Sequence, residues 1–188
     1  MEDKKAFGFY TERQLLRDKR ILYLIGDVDN SECADFIVDM EILRALSKKP
    51  ITIIISSPGG DVEYGLGCIR AIRRAQKDGI KVIGQVYGHA MSMAFLILEC
   101  CDKRVMGKGC CLMAHGVTTM MHGDIKNLEA EQKLLGDARE YFAGYLAERT
   151  KNTEFGLEYW QDLLKDNTPQ FFNSQESLGM DLIDEVEE

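Results

Sequence analysis

A serine, a pair of glycines and a histidine stand where acyl-transfer chemistry could be assembled. Ser92 closes the run Tyr87-Gly88-His89-Ala90-Met91-Ser92 and opens an apolar stretch. A serine hydroxyl is a useful nucleophile only when a base takes its proton and fixed donors hold the oxyanion formed on attack. A helix start offers such donors, because its unpaired amides, here including that of Met93, carry partial positive charge. Gly59-Gly60 could add a second amide at Gly60, since glycine permits close backbone approach and positive φ. His115, at the end of the apolar run Cys110-Cys111-Leu112-Met113-Ala114, is the candidate general base.

Each of these residues also has a plainer reading. A serine at a helix start is most often an N-cap, a glycine pair most often a turn, and a lone histidine most often a structural hydrogen-bonding residue. The chain has three histidines. His89 shares the turn of Ser92 and is expected to line the pocket rather than act as base; His122 sits in a polar stretch and is expected to be solvated. The glycines do not form a phosphate loop, as the G-x-x-x-x-G-K-[ST] pattern is absent. Six cysteines, two pairs of them adjacent, read as reduced, mostly buried thiols. Zinc held by those pairs with His115 is the alternative, but C-x-x-C spacing is missing, so no metal or other cofactor is expected.

The elements that must position these residues follow from hydrophobic spacing. Ile21–Ile25 reads as a buried strand. Asp29 and Glu32 have capping-box spacing, and Phe36, Ile37, Met40, Leu43 and Leu46 follow at helical intervals up to Pro50. Ile51–Ile55 is a β-branched strand broken by Ser56-Ser57-Pro58-Gly59-Gly60. A helix is expected from Tyr64 to Lys77, a strand from Ile80 to Val86, and an apolar helix from Ser92 to about Cys101. Short strands near Arg104–Met106 and Cys111–Met113 precede His115. A long helix spans 125–150, with Leu128, Leu135 and Phe142 as its apolar stripe, flanked by Leu134, Tyr141 and Tyr145. A last helix holds Tyr159, Trp160, Leu163 and Leu164. This alternation implies an α/β fold with parallel strands, in which ligand sites lie beyond the carboxyl ends of strands. Both glycine-containing turns fall there.

The 188 residues fit a single domain, with residues 1–12 as an N-terminal arm bearing Phe7, Phe9 and Tyr10. A net charge of −8 argues against non-specific nucleic-acid or anionic-membrane binding. The first residues lack a signal-peptide layout, and no apolar run approaches the roughly 20 residues that span a bilayer. A cytoplasmic location is the expectation.

Ser57-Pro58-Gly59-Gly60, Gly88-His89-Ala90-Met91-Ser92-Met93-Ala94 and Met113-Ala114-His115 occur in order. In this they resemble the proteolytic subunit of Clp protease, ClpP, over most of the chain from about Gln14. The resemblance implies a ClpP/crotonase-like α/β fold and serine-type endopeptidase activity on unfolded proteins or peptides. It implies Ser92 as nucleophile, His115 as base, and the amides of Gly60 and Met93 as the oxyanion hole. It also implies that the long helix is a handle joining two stacked heptameric rings of this chain, that Gly123 lies in a strand binding extended peptide, and that an AAA+ ATPase unfoldase is a partner. The aspartate of the family's triad aligns with Pro169. Asp166, or alternatively Asn167, takes that role through a local shift, or the pair works as a dyad. Asp181 stands where the family has glycine, a position expected to be structural. The other readings are a weak or inactive ring subunit, a phage head-maturation peptidase, and a crotonase-type enzyme acting on acyl-CoA.

Overall fold

The computed structural model describes residues 17–117, 125–150 and 153–188. The expected N-terminal arm, His122 and Gly123 lie outside them, as do the side chains of Leu128, Leu134 and Leu135.

Three adjacent parallel strands open the fold, with β1 (Ile21–Val28) at one edge of the sheet, then β2 (Ile51–Gly60) and β3 (Val82–Met91). The apolar run of β2 is covered on both faces, with Ile53 and Ile55 fully inaccessible, but β1 corrects the expectation of a buried strand over Ile21–Ile25: Leu22 and Leu24 point into the core while the alternate residues Tyr23 and Ile25 are exposed. Helix α1 (Asn30–Leu46) connects β1 to β2, and α2 (Val62–Lys77) connects β2 to β3. Both starts are capped by aspartate. Asp29 accepts from the Glu32 amide at 3.0 Å, and Asp61 accepts from Glu63 and Tyr64. At the other end of α1, the buried Arg20 guanidinium donates to the carbonyl of Leu43 in the last turn and to those of Ser47, Lys49 and Pro50 in the segment leading to β2.

Two strands run further than the periodicity suggests. β2 continues through Ser56–Gly60 instead of breaking there, and β3 runs to Met91 instead of stopping at Val86. The pairing with β3 survives because it shifts register between Ile55 and Ser57, where Tyr87, Gly88 and His89 stand against Ser56 alone. On the β1 side the register shifts between Ile25 and Asp27, where Ser57 and Pro58 stand against Gly26 alone, and this bulge accommodates Pro58 inside a central strand.

β3 then divides its partners. Ile83–Val86 pairs with β4 (Lys103–Gly107), whereas His89–Met91 pairs with β5 (Cys111–Ala114). Between β3 and β4 lies the short helix α3 (Met93–Glu99), buried along its whole length. The long helix α4 (Ile125–Arg149) packs on α5 (Leu157–Leu163), with Phe142, Ala143 and Leu146 buried and Tyr141 exposed. Trp160 of α5 is fully buried against Phe95 of α3, with ring centroids 6.3 Å apart.

The C-terminal part holds three elements that the periodicity does not announce: β6 (Gln170–Asn173), α6 (Ser174–Gly179) and β7 (Glu185–Glu187). β6 pairs antiparallel with β5, and β7 pairs with β4. Asp181 adopts φ +59, a left-handed conformation that favours glycine and that aspartate tolerates.

Candidate active site

Ser92 sits between the end of β3 and the start of α3 with φ +52 and ψ −121, a strained conformation for a residue with a Cβ. The capping reading fails on its own terms. An N-cap has extended backbone and a side chain that accepts a helix amide. Asp29, Asp61 and Asn173 do this, but the Ser92 side chain makes no cap hydrogen bond. The hydroxyl is presented at the turn and left available.

Two strands hold this turn in place. The Ser92 amide donates to the Met113 carbonyl of β5 at 2.8 Å, which ties the serine to the strand that ends one residue before His115. From β2, Gly59 presses on the turn. A Cβ at Gly59 would lie 2.6 Å from the Met91 carbonyl oxygen, 2.8 Å from Ser92 Cβ and 2.9 Å from the Met93 nitrogen. Gly60 is packed as closely on β1, where a Cβ would lie 2.5 Å from the Val28 oxygen. The glycine pair therefore does more than turn the chain: it lets three strand ends converge. Gly65, in the first half of α2, makes room for the Met93 side chain, 2.2 Å from where its Cβ would stand.

His115 follows β5 directly and is half-buried. A cleft is lined by Gly60, Ser92, Met93, His115 and Gly116, with Val62, Phe95, Leu96, Val117, Phe142, Leu146 and Leu164 as its apolar wall. All four proposed reaction residues thus border one cavity. Ser92 and His115 are not hydrogen-bonded to each other in this conformation. His89, expected to line the pocket, is not among the lining residues; it pairs with Cys111 across β3 and β5.

Asp166 lies beside this edge through its backbone. Its carbonyl accepts from the Gly116 amide at 2.8 Å, while its carboxylate accepts from the Thr168 amide at 2.8 Å. That bond, with a further one to the Thr168 side chain, holds the Asp166 carboxyl below its ordinary range. His115 Nδ1 meets the Gly116 carbonyl instead, at 2.6 Å.

Behind the nucleophile turn, the far end of α3 carries Glu99, fully buried. Its carboxylate bonds Arg104 of β4 at 2.5 Å and faces Arg149 of α4 at 4.0 Å; Arg104 in turn bonds Asp184. Burial pushes the Glu99 carboxyl up to about 7 against the pull of both arginines. The cysteines are free thiols, and burial raises those of Cys33, Cys68, Cys100 and Cys101. Among the described residues no group of three or more histidine, cysteine or acidic side chains is placed to hold a metal ion, and no helix is long and apolar enough to cross a membrane.

Gly65 and Gly116 are the functional neighbours that sequence reading passed over, and Gly59, read only as half of a glycine pair, is the one that abuts the Ser92 turn. Gly65 carried one signal, since a helix-interior glycine is unfavourable and usually marks a close approach. Gly116 carried another, being the residue after the candidate base.

The model of the Clp protease family matches residues 4–188, so the chain belongs to the Clp protease family. It is 25% identical over 173 residues to the ATP-dependent Clp protease proteolytic subunit of Carsonella ruddii, covering 89% of this chain and 84% of that one. It is 26% identical over 170 residues to the ATP-dependent Clp protease proteolytic subunit 2 of Pseudomonas aeruginosa, covering 89% and 80%. The mixed α/β fold with its mostly parallel sheet is that of ClpP, and the family supports a ClpP-like peptidase.

Proposed function

We propose that the chain is a serine endopeptidase that cleaves unfolded polypeptides or peptides through an acyl-enzyme. Ser92 Oγ attacks the scissile carbonyl carbon, and its proton passes to His115 Nε2. The amides of Gly60 and Met93 donate to the oxyanion of the tetrahedral intermediate. The imidazolium then protonates the leaving amine, and water, deprotonated by the same histidine, hydrolyses the ester. The apolar wall of the cleft, from Val62 to Leu164, suits an apolar substrate side chain. No cofactor is needed for these steps.

The observation that carries this reading is the strained, uncapped Ser92 at the rim of a cleft shared with His115. The assembly that goes with this reading is a pair of stacked heptameric rings of this chain in the cytoplasm, joined through α4 as a handle and supplied with unfolded chains by an AAA+ ATPase; the relatives' names, each a proteolytic subunit of an ATP-dependent protease, support a subunit role and an ATP-dependent partner. A second reading, a slow or inactive ring subunit, draws on the absence of a bond between Ser92 and His115 and on the proline aligned with the triad acid. Hydrolysis of fluorogenic peptides by the wild-type protein and by Ser92→Ala decides between them, with the sedimentation coefficient of both recorded. Activity lost with assembly intact supports the peptidase. An assembled wild-type protein that hydrolyses no peptide, alone or with an unfoldase, supports the second reading.

A further inference from the structure

The register of β5 on β6 runs from Cys111↔Asn173 to Ala114↔Gln170. Continued one residue past the strand ends, it sets Pro169 opposite His115. Side chains paired across an antiparallel ladder stand about 4.5–5.5 Å apart at Cβ, so this is where a carboxylate would reach the imidazole. Proline has no such group. Asp166 is three residues away, and its carboxylate is engaged by Thr168.

The imidazole has a different partner. Its Nδ1 lies 2.6 Å from the Gly116 carbonyl oxygen. A carbonyl only accepts, so this contact is attractive only when Nδ1 carries the proton. Neutral His115 is then the Nδ1–H tautomer, and the lone pair is left on Nε2, the nitrogen a general base must offer to a serine. Gly116 is itself fixed: its amide donates to the Asp166 carbonyl, and a Cβ there would lie 2.4 Å from that oxygen and 2.7 Å from the Leu164 oxygen. Only glycine lets residues 164–166 lie against the chain at this point.

We propose that the Gly116 backbone carbonyl is the positioning group of His115, so that the site works as a Ser92–His115 dyad with the tautomer set by the main chain. This rests on the peptidase reading above. In a serine protease where asparagine replaces the orienting aspartate, the rate falls about 10⁴-fold because the tautomer is wrong. A carbonyl avoids that loss, since it accepts as the carboxylate does. It lacks only the charge that stabilises the imidazolium.

The test is a solid-state ¹⁵N spectrum of assembled protein carrying ¹⁵N-histidine, with His89→Gln and His122→Gln leaving His115 as the only signal. The expected neutral form is Nδ1–H, unchanged in Asp166→Asn, with kcat for peptide hydrolysis in that variant within about threefold of wild type. A neutral Nε2–H tautomer overturns the proposal, as does a loss of about 10²-fold or more in kcat at unchanged KM in Asp166→Asn. The two readings fail separately. An Nδ1–H signal in a protein that cleaves no peptide sinks the peptidase and leaves the tautomer assignment standing. An Nε2–H signal in an enzyme inactivated by Ser92→Ala sinks only the carbonyl.

Discussion

Gly59→Ala is the substitution that most sharply tests whether strand convergence positions the nucleophile. The added methyl carbon would stand 2.8 Å from Ser92 Cβ and 2.6 Å from the Met91 oxygen. Carbon atoms in favourable contact are about 3.5–4.0 Å apart, so the turn must retreat by about 0.7 to 1.2 Å at Ser92. The alanine must also hold φ near the +91° that Gly59 adopts, a left-handed conformation that costs an L-residue about 1–2 kcal/mol. A misplacement of 1 Å between reacting groups costs about 10²-fold in rate. We therefore expect kcat to fall between about tenfold and a hundredfold, with KM changed much less. Stability should fall by about 1–3 kcal/mol, or about 2–4 °C in melting temperature for each kcal/mol in a chain of this length. Fluorogenic peptide hydrolysis gives the rates, and a thermal melt confirms that the protein is folded. A folded variant with wild-type kcat would refute the reasoning, because it would mean that the nucleophile turn does not depend on the β2 backbone beneath it.

Two further consequences concern stability. Glu99 has a raised pKa in the folded chain, about 7, because burial disfavours its charge. The folded state therefore holds this proton more tightly than the unfolded one. The stabilisation is complete below about pH 4.5 and is lost as pH rises towards 7, at most about 3 kcal/mol in all. Urea midpoints measured at pH 5 and pH 7.5 should differ less in Glu99→Gln than in wild type; parallel shifts in the two proteins would contradict the assignment. Arg20→Met removes the donor shared by four carbonyls at and after the end of α1. It should cost about 2–4 kcal/mol, seen as a melting temperature lower by roughly 5–15 °C, with kcat at low temperature retained. A melt within 1 °C of wild type, a bound set by that ~2–4 kcal/mol estimate, would show that water serves those carbonyls equally well.

How far the sequence was legible depended on whether side chains or backbone carried the information. The run Ile51–Ile55 and the helical spacing of Phe36, Met40 and Leu43 announced β2 and α1 because their burial requires apolar residues at those intervals; the run Ile21–Ile25 announced β1 as a strand but not its burial, since Tyr23 and Ile25 are exposed. Ser92 and His115 were legible as candidates through their neighbours, Ser92 as the close of a small-residue turn that opens an apolar run and His115 as the residue that ends one. The extension of β2 through Pro58 and Gly60 was hidden, since a bulged strand keeps its pairing through the backbone while its sequence reads as a turn. β7, Glu185-Val186-Glu187, reads as a charged tail. It is a strand because its backbone pairs with β4 and because Glu185 and Glu187 meet Lys103 and Gln85. The place of Asp166 was the least legible. Its nearness to the site comes through its carbonyl, and no side-chain pattern reports where a carbonyl points.

The central claim is that Ser92 is an activated nucleophile, and a fluorophosphonate probe measures this directly. Assembled protein is treated with the probe and digested, and the adduct is located by mass spectrometry. The account predicts one modified residue, Ser92, with labelling abolished in Ser92→Ala and strongly slowed in His115→Ala. Absence of a Ser92 adduct on the assembled, folded protein, or equal labelling with and without His115, would contradict it.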